Sequence, residues 1–273
     1  MGYKSTAEKA ITKAKQWNLP YWALEEGFIR SVSPSDPPLS LIVDPVGIYY
    51  DATRPSLLEN MLNSEETIDS ELLEKAEILK RLILKYKISK YNNGKPVPKD
   101  FFPLGKERIL LVDQTYGDYS VTLGLADESS FYKMVQYTLE HYPTADIYIK
   151  LHPRVLTGEK RGYLHKVKNG GRIKVIRDNY NPIELISYFD AVFAVTSQMG
   201  FEALLLEKEV FCFGMPWYAG WGLTKDFVKC ERRKKKRKNV IELLAYGYIV
   251  YQRWLTNYLE ILNKIVEKKT FYP

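Results

Sequence analysis

Four short stretches place residues suited to chemistry at turns. Thr196-Ser197-Gln198-Met199-Gly200 follows the apolar run Ala191–Val195. Two hydroxyls and a glycine where a strand gives way to a helix can hold an anion, because unpaired N–H groups and the positive helix end face a phosphate there. Glu202, one turn further on, can reach the hydroxyls of a ribose. The same residues also suit ordinary helix capping. Lys150-Leu151-His152-Pro153-Arg154 gathers three basic side chains in five residues after the run Asp146–Lys150. That set fits a phosphate diester with Pro153 fixing the turn, and a lone histidine also serves as a satisfied structural residue. Asp113-Gln114-Thr115-Tyr116-Gly117-Asp118-Tyr119-Ser120 closes the run Arg108–Asp113. A carboxylate here can attack an anomeric carbon or act as a base, or it can simply shape a turn. Glu25-Glu26-Gly27, ahead of Arg30, supplies acidic groups from the other half of the chain.

A fifth stretch, Phe213–Gly222, holds three glycines and four large aromatics. Its rings suit the apolar side of a sugar or the packing of a loop. Cys212 and Cys230 lack the spacing of a structural zinc site or a disulfide framework. Cys212 reads as a buried small hydrophobe, and a reducing cytoplasm fits.

These turns need elements to carry them. Alanines and lysines at helical spacing predict a helix over 6–17, stopped at Leu19-Pro20. A short strand at Tyr21–Leu24 precedes the two glutamates. Leu39–Asp44 and Ile48–Asp51 read as a hairpin around Pro45-Val46-Gly47. Helices are expected near 55–63 and 68–87, then a Pro-, Gly- and Asn-rich linker over Tyr91–Gly105. Five apolar strands follow, at Arg108–Asp113, Asp146–Lys150, Arg172–Ile176, Ala191–Val195 and Glu209–Phe213. Helices near 129–141, 158–169, 182–189 and 199–206 separate them, as in a parallel sheet covered on both faces. The tail over 240–268 reads as one or two amphipathic helices. The expected division is an N-terminal α/β domain over 1–104 and a nucleotide-binding domain over 105–239. The helices of 240–273 return to the first domain, and a cleft between the domains is the expected ligand site.

The 273 residues, 45% apolar and 27% charged, belong to a folded globular protein with a sizeable core. The net charge of +7 is local. Eight basic residues and Glu231 lie between Lys229 and Lys238, which leaves 32 of the 40 basic and 32 of the 33 acidic residues for the rest. The run is either a solvated loop or an attachment point for an anionic membrane or substrate. A nucleic-acid partner is not expected, since no known reading motif accompanies it. The first twenty residues, with four lysines and one glutamate, lack the apolar stretch of a signal peptide.

Taken in order, Glu25-Glu26-Gly27-Phe28-Ile29-Arg30-Ser31, Pro37-Pro38-Leu39-Ser40-Leu41, Gly47-Ile48-Tyr49-Tyr50-Asp51, His152-Pro153, Lys160-Arg161-Gly162-Tyr163, Val195–Leu204 and Gly214–Gly222 form one pattern. It resembles the capsule polysaccharide biosynthesis family of retaining β-Kdo glycosyltransferases of Gram-negative bacteria, over about residues 2–255. The resemblance implies a GT-B-like α/β fold of two Rossmann-like domains around a cleft. It also implies that the first strand of the N-terminal domain would lie just upstream of Gly2-Tyr3-Lys4-Ser5. The implied donor is CMP-β-Kdo and the implied acceptor a Kdo-primed phosphatidylglycerol lipid, at the cytoplasmic side of the inner membrane and with no metal or other cofactor. His152-Pro153 matches the pair that contacts CMP. Lys150, Thr196, Ser197, Gln198, Gly200 and Glu202 would form the nucleotide cradle, and Gln114 and Arg30 complete the binding set. Asp118 falls where the family places its reactive aspartate, with Glu26 as the base. Family members usually carry two modules, and this single one looks more like the C-terminal module, so a second glycosyltransferase module is a possible partner. Two other readings stay open: a non-catalytic CMP-sugar-binding module, and an inverting enzyme related to sialyltransferases.

Overall fold

Alanine and lysine, both strong helix formers, carry helix α1 (Ser5–Gln16) to its end, where Asn18 takes a left-handed φ of 50° ahead of Pro20. The computed structural model describes residues 5–103, 105–233 and 238–270, and the chain divides into two units, Met1–Asn93 with Lys238–Pro273 and Gly94–Arg237.

In the first unit, β1 (Ala23–Glu26) pairs antiparallel with β2 (Ser40–Asp44), with Ala23 opposite Asp44. Burial alternates along both strands, so one face packs inward. The two glutamates therefore lie within β1 rather than after it. The hairpin expected between 39–44 and 48–51 does not form. The Asp44 carboxylate accepts the N–H groups of Val46, Gly47 and Leu57 and the Tyr251 hydroxyl, and this holds 45–51 as a turn. Helix α2 (Leu57–Asn63) is capped by Ser56, and α3 (Ser70–Tyr86) runs from the Asp69 cap to Lys87, which is left-handed at φ 52°.

Of the segment read as a linker, Tyr91 and Asn92 bond to Ser31 and Val32 of the first unit, and the part from Gly94 on packs on the second. The Lys95 N–H donates to Asn179, the Asn181 N–H donates to Lys95, and Phe102 lies against Tyr148, Tyr188 and Phe189. Strands β3 (Arg108–Val112), β4 (Asp146–Lys150), β5 (Ile173–Ile176), β6 (Ala191–Ala194), β7 (Glu209–Cys212) and β8 (Lys225–Asp226) build a six-stranded parallel sheet in the order β5-β4-β3-β6-β7-β8. The chain winds outward from β3 to one edge, returns to β6 beside β3, and winds outward again. The direction of winding thus reverses between β3 and β6. Helices α4 (Tyr119–Leu123), α5 (Glu128–His141), α6 (Pro153–Leu156), α7 (Pro182–Ser187) and α8 (Met199–Leu205) make the crossovers. Ile109, Leu111, Ile147, Ile149, Phe193 and Phe211 pack with Phe131 and Met134 of α5 on one face.

The helix expected over 158–169 is absent. Gly158 turns at φ 76°, and the N–H groups of Tyr163 and Leu164 are taken by Gln114 and Asp113 instead of by a helical ladder. The chain then returns to the first unit. Helix α9 (Val240–Leu244), opened by an Asn239–Glu242 capping box, packs on α3 and continues as a π-helical turn over Ala245–Tyr251. In place of an all-helical tail, β9 (Gln252–Trp254) then joins the free edge of β2, and α10 (Tyr258–Thr270) follows. The first sheet is therefore three-stranded and antiparallel, in the order β1-β2-β9, and among the described residues only the second unit is Rossmann-like. No helix among the described residues is long and apolar enough to cross a membrane.

Candidate active site

Ligands of doubly wound sheets bind beyond the carboxyl ends of the strands, where the winding reverses. Here that point lies between the loops that leave β3 and β6, and a hydrogen-bonded network spans it. The Gln114 amide accepts the Thr196 N–H at 2.9 Å and donates to Thr196 Oγ1 at 2.9 Å, and Ser120 Oγ lies 3.2 Å from the same hydroxyl. Thr196 is seated by two glycines. A Cβ on Gly124 would come within 2.5 Å of the threonine methyl, and one on Gly214 within 2.9 Å. The methyl is thus wedged between two backbones, and the hydroxyl is turned toward Gln114 and Ser120.

Asp118 sits two residues before Ser120 and caps α4, accepting the Ser120 N–H at 2.9 Å while remaining half-buried. The neighbouring Gly117 N–H donates to the Tyr163 hydroxyl, and Tyr163 stacks on Phe131 with ring centroids 4.1 Å apart. The Tyr116 N–H donates to the Arg161 carbonyl, and the Arg161 guanidinium lies 3.8 Å over the Tyr116 ring. The stretch Lys160-Arg161-Gly162-Tyr163 is therefore the brace of the loop that presents Asp118. Gly162 is needed because a Cβ there would lie 2.1 Å from Asp113 Oδ2. Asp113 is buried. Its Oδ1 accepts the Leu164 N–H, while Oδ2 has no hydrogen-bond partner. Burial raises its carboxyl to about 6, opposed by neighbouring backbone N–H groups and by His165. Asp113 and Asp118 thus divide the labour that the sequence left open: the first holds the loop from beneath, and the second stands at its rim.

At the end of β4, His152 Nδ1 accepts the Arg154 N–H at 3.2 Å and Pro153 opens α6. With Nδ1 accepting, the neutral ring carries its proton on Nε2. Lys150 is buried, and burial lowers its ammonium to about 8, while the charge of Glu202 opposes that fall. Glu202 is itself buried, and its charge acts on Lys150. In the β6–α8 turn, Ser197 Oγ accepts the Met199 N–H, and Gln198 makes no side-chain cap. Gly200 is required for packing, since a Cβ would lie 2.1 Å from the Tyr218 hydroxyl, which donates to the Ser197 carbonyl.

The remaining candidates lie elsewhere. Glu26 and Arg30 belong to the first unit and pair at 2.9 Å, with the Arg30 guanidinium also donating to the Asp36 carbonyl. Gly27 abuts Ser40 and Gln252 so closely that any Cβ would clash, and Gln252 Oε1 accepts the Phe28 N–H. Gln252 gave no signal in the sequence, because its partner lies 224 residues away. The rings of Trp217, Tyr218 and Trp221 are buried, so that string is core and not a sugar platform. The basic run is also not one solvated strip. Arg233 is buried, donates to the Pro216 and Ala219 carbonyls and lies over Trp221, while Lys238 is buried beside Glu242 at 3.5 Å. Lys234, Lys235, Lys236 and Arg237 lie outside the described residues.

A doubly wound sheet whose reversal point gathers hydroxyls, an amide and a rim carboxylate is the α/β arrangement that offers its candidate site at the carboxyl edge of the sheet. The chain belongs to the capsule polysaccharide biosynthesis protein family, which matches residues 1–254. It is 41% identical over 267 residues to the capsule polysaccharide modification protein LipA of Neisseria meningitidis serogroup B, covering 93% of this chain and 38% of LipA. It is 36% identical over 242 residues to the lipopolysaccharide-processing protein LpsZ of Rhizobium meliloti, covering 87% of this chain and 55% of LpsZ. The chain thus spans about two-fifths of the length of LipA. Among solved structures, the KpsC β-Kdo 2,4 transferase of Thermosulfurimonas dismutans superposes with a TM-score of 0.94 at 55% identity, covering 97% of this chain and 85% of that one. The KpsC β-Kdo 2,7 transferase of the same organism superposes with a TM-score of 0.67 at 29% identity, covering 98% and 91%.

Proposed function

We propose that the chain is a retaining β-Kdo transferase that uses CMP-β-Kdo and forms the 2,4 linkage on a Kdo-primed glycolipid. The observation that carries this reading is the agreement with the β-Kdo 2,4 transferase, 55% identical over 97% of the chain, in a molecule whose rim carboxylate stands at the reversal point of its sheet. The Asp118 carboxylate attacks the anomeric carbon of Kdo as the bond to the CMP phosphate oxygen breaks, and CMP leaves with the electron pair. The acceptor hydroxyl then attacks the same carbon, the bond to Asp118 breaks, and the proton passes to a base, for which Glu26 is the candidate. Two inversions give net retention. His152 Nε2–H, Ser197 and Thr196 are the donors proposed for the departing phosphate. The ammonium of Lys150, its pKa lowered by burial to about 8, is the cation proposed to support them.

Asp118→Ala is expected to lower transfer by about a thousandfold or more, as loss of a nucleophile does. CMP should still raise the unfolding temperature of that variant, since ligand at about 100 times its dissociation constant adds about 2.7 kcal/mol. Near wild-type turnover in Asp118→Ala would remove it as the nucleophile. A product whose new anomeric centre is inverted relative to the donor, read by NMR, would overturn retention. CMP that stabilises the chain no better than UMP would overturn the donor.

A further inference from the structure

Five tryptophans occur in the chain, and two of them, Trp17 and Trp22, are 60% and 62% exposed. They flank Leu19, which is 56% exposed, at the corner where α1 hands over to β1. Trp22 and Leu24 fall on the solvent side of β1, because Ala23 and Glu25 between and beyond them are buried. Leu24 lies opposite Val43 of β2, and beyond that strand the exposed Val46 shares a cavity of about 170 Å³ with Leu19, Ile11 and Ala14. That volume is below the several hundred Å³ usual for a small-molecule site, so this corner is not a second sugar-nucleotide pocket. Large apolar side chains gathered on one exposed corner mark an interaction surface.

Charge selects the partner. The Lys13 ammonium lies 5.1 Å over the Trp17 ring, Lys15 lies at the edge of the cavity, and Lys9 is exposed on the same helix. Of the neighbouring acids, Asp51 pairs with Arg54 at 2.7 Å and Glu26 with Arg30 at 2.9 Å, and Glu8 is the single acid of α1 against Lys9, Lys13 and Lys15. The surface is thus aromatic and cationic. Protein interfaces deplete lysine at their centres, whereas indoles interleaved with lysines are the composition of a membrane–water boundary.

We infer that the α1–β1 corner, through Trp17, Leu19 and Trp22 with Lys13 and Lys15, seats the protein on an anionic lipid bilayer. The indoles lie at headgroup depth, and the lysines face the lipid phosphates. This attachment uses residues other than those of the basic run at 229–238 and does not depend on which sugar the chain transfers.

The test is co-flotation of the 273-residue chain with phosphatidylcholine vesicles, with and without phosphatidylglycerol. Binding is expected to require phosphatidylglycerol, to weaken as salt rises, and to fall tenfold or more in Trp17→Ala/Trp22→Ala and in Lys13→Glu/Lys15→Glu. Brominated acyl chains should quench the wild-type emission but leave that of Trp217 and Trp221, which are buried. Unfolding temperatures within a few degrees of wild type would show that the substitutions leave the fold intact. Undiminished binding of the double tryptophan variant would overturn the assignment and move attachment elsewhere. Absence of wild-type binding to either vesicle would overturn it outright. A wild-type dimer, dissolved by the same substitutions in sedimentation without vesicles, would also overturn it and give the face to a second copy.

Discussion

Asp113 and Asp118 leave the end of one strand five residues apart and meet opposite surroundings. Asp118 is half-buried and caps a helix, while Asp113 is sealed beneath the loop with one oxygen unpaired. Folding raises the Asp113 carboxyl to about 6, whereas an aspartate in the unfolded chain titrates near 4. Between about pH 4 and pH 6 the native state keeps a proton that the unfolded chain has released. This contribution to stability is therefore full below that interval and declines as pH rises through it, by up to about 3 kcal/mol. Asp113→Asn preserves an acceptor for the Leu164 N–H and removes the titration. Its denaturant midpoint, measured from pH 4 to pH 7, should gain on wild type as pH rises, and parallel curves would show that Asp113 does not carry the effect. At the same scale, Lys150 and Glu202 form a buried charge couple. Removing one partner of such a couple is more damaging than removing both, because it strands a charge in the interior.

The β6–α8 turn depends on a ring that arrives from the next loop. Tyr218 packs over Gly200 and donates to the Ser197 carbonyl. Gly200→Ala should cost about 1–3 kcal/mol through overpacking. Combining it with Tyr218→Phe, which removes the hydroxyl that the new methyl would strike, should recover part of that loss. Strict additivity of the two in urea melts would rule out the contact as the cause. Which elements were legible follows from the range of the forces that make them. Helices α5 and α7 announce themselves locally through Asp127 and Asn181-Pro182 caps, and a single sequence shows such signals. Five of the six parallel strands were legible as short runs rich in apolar residues, whereas β8, only Lys225–Asp226, carries no such signal. The stretch 158–169 misled, because its helical composition is overruled by backbone bonds to Gln114 and Asp113, on a strand end that spacing cannot connect to it. Strand β9 was invisible for the same reason: its register is set by Ser40–Ile42, at the other end of the chain. In the site, the polar residues at strand ends were readable as candidates. Their pairing, Gln114 with Thr196, spans 82 residues, and the burial of Glu202 and of the Trp217–Trp221 rings is a matter of packing that composition does not encode.

For the whole molecule, the unequal assembly of the two units along the chain matters. The second unit is one continuous stretch, Gly94–Arg237, whereas the first is assembled from both ends of the chain. Strand β2 obtains its second neighbour only when Gln252–Trp254 is present, and the Phe28 N–H waits for a glutamine 224 residues downstream. The fragment 94–237 should accordingly melt cooperatively alone, while 1–237 should bind a hydrophobic dye through the unfinished sheet. A non-cooperative melt of 94–237 would contradict this. During synthesis, then, the middle of this protein matures before its beginning. Residues 1–93 are made before residues 252–254 and stay adhesive until these arrive, with an open strand edge in a crowded cell. Selection on the segment around residue 252 therefore acts on the interval of exposure as well as on the finished fold: a chain interrupted shortly before it would carry an intact nucleotide-type sheet tethered to an aggregation-prone head.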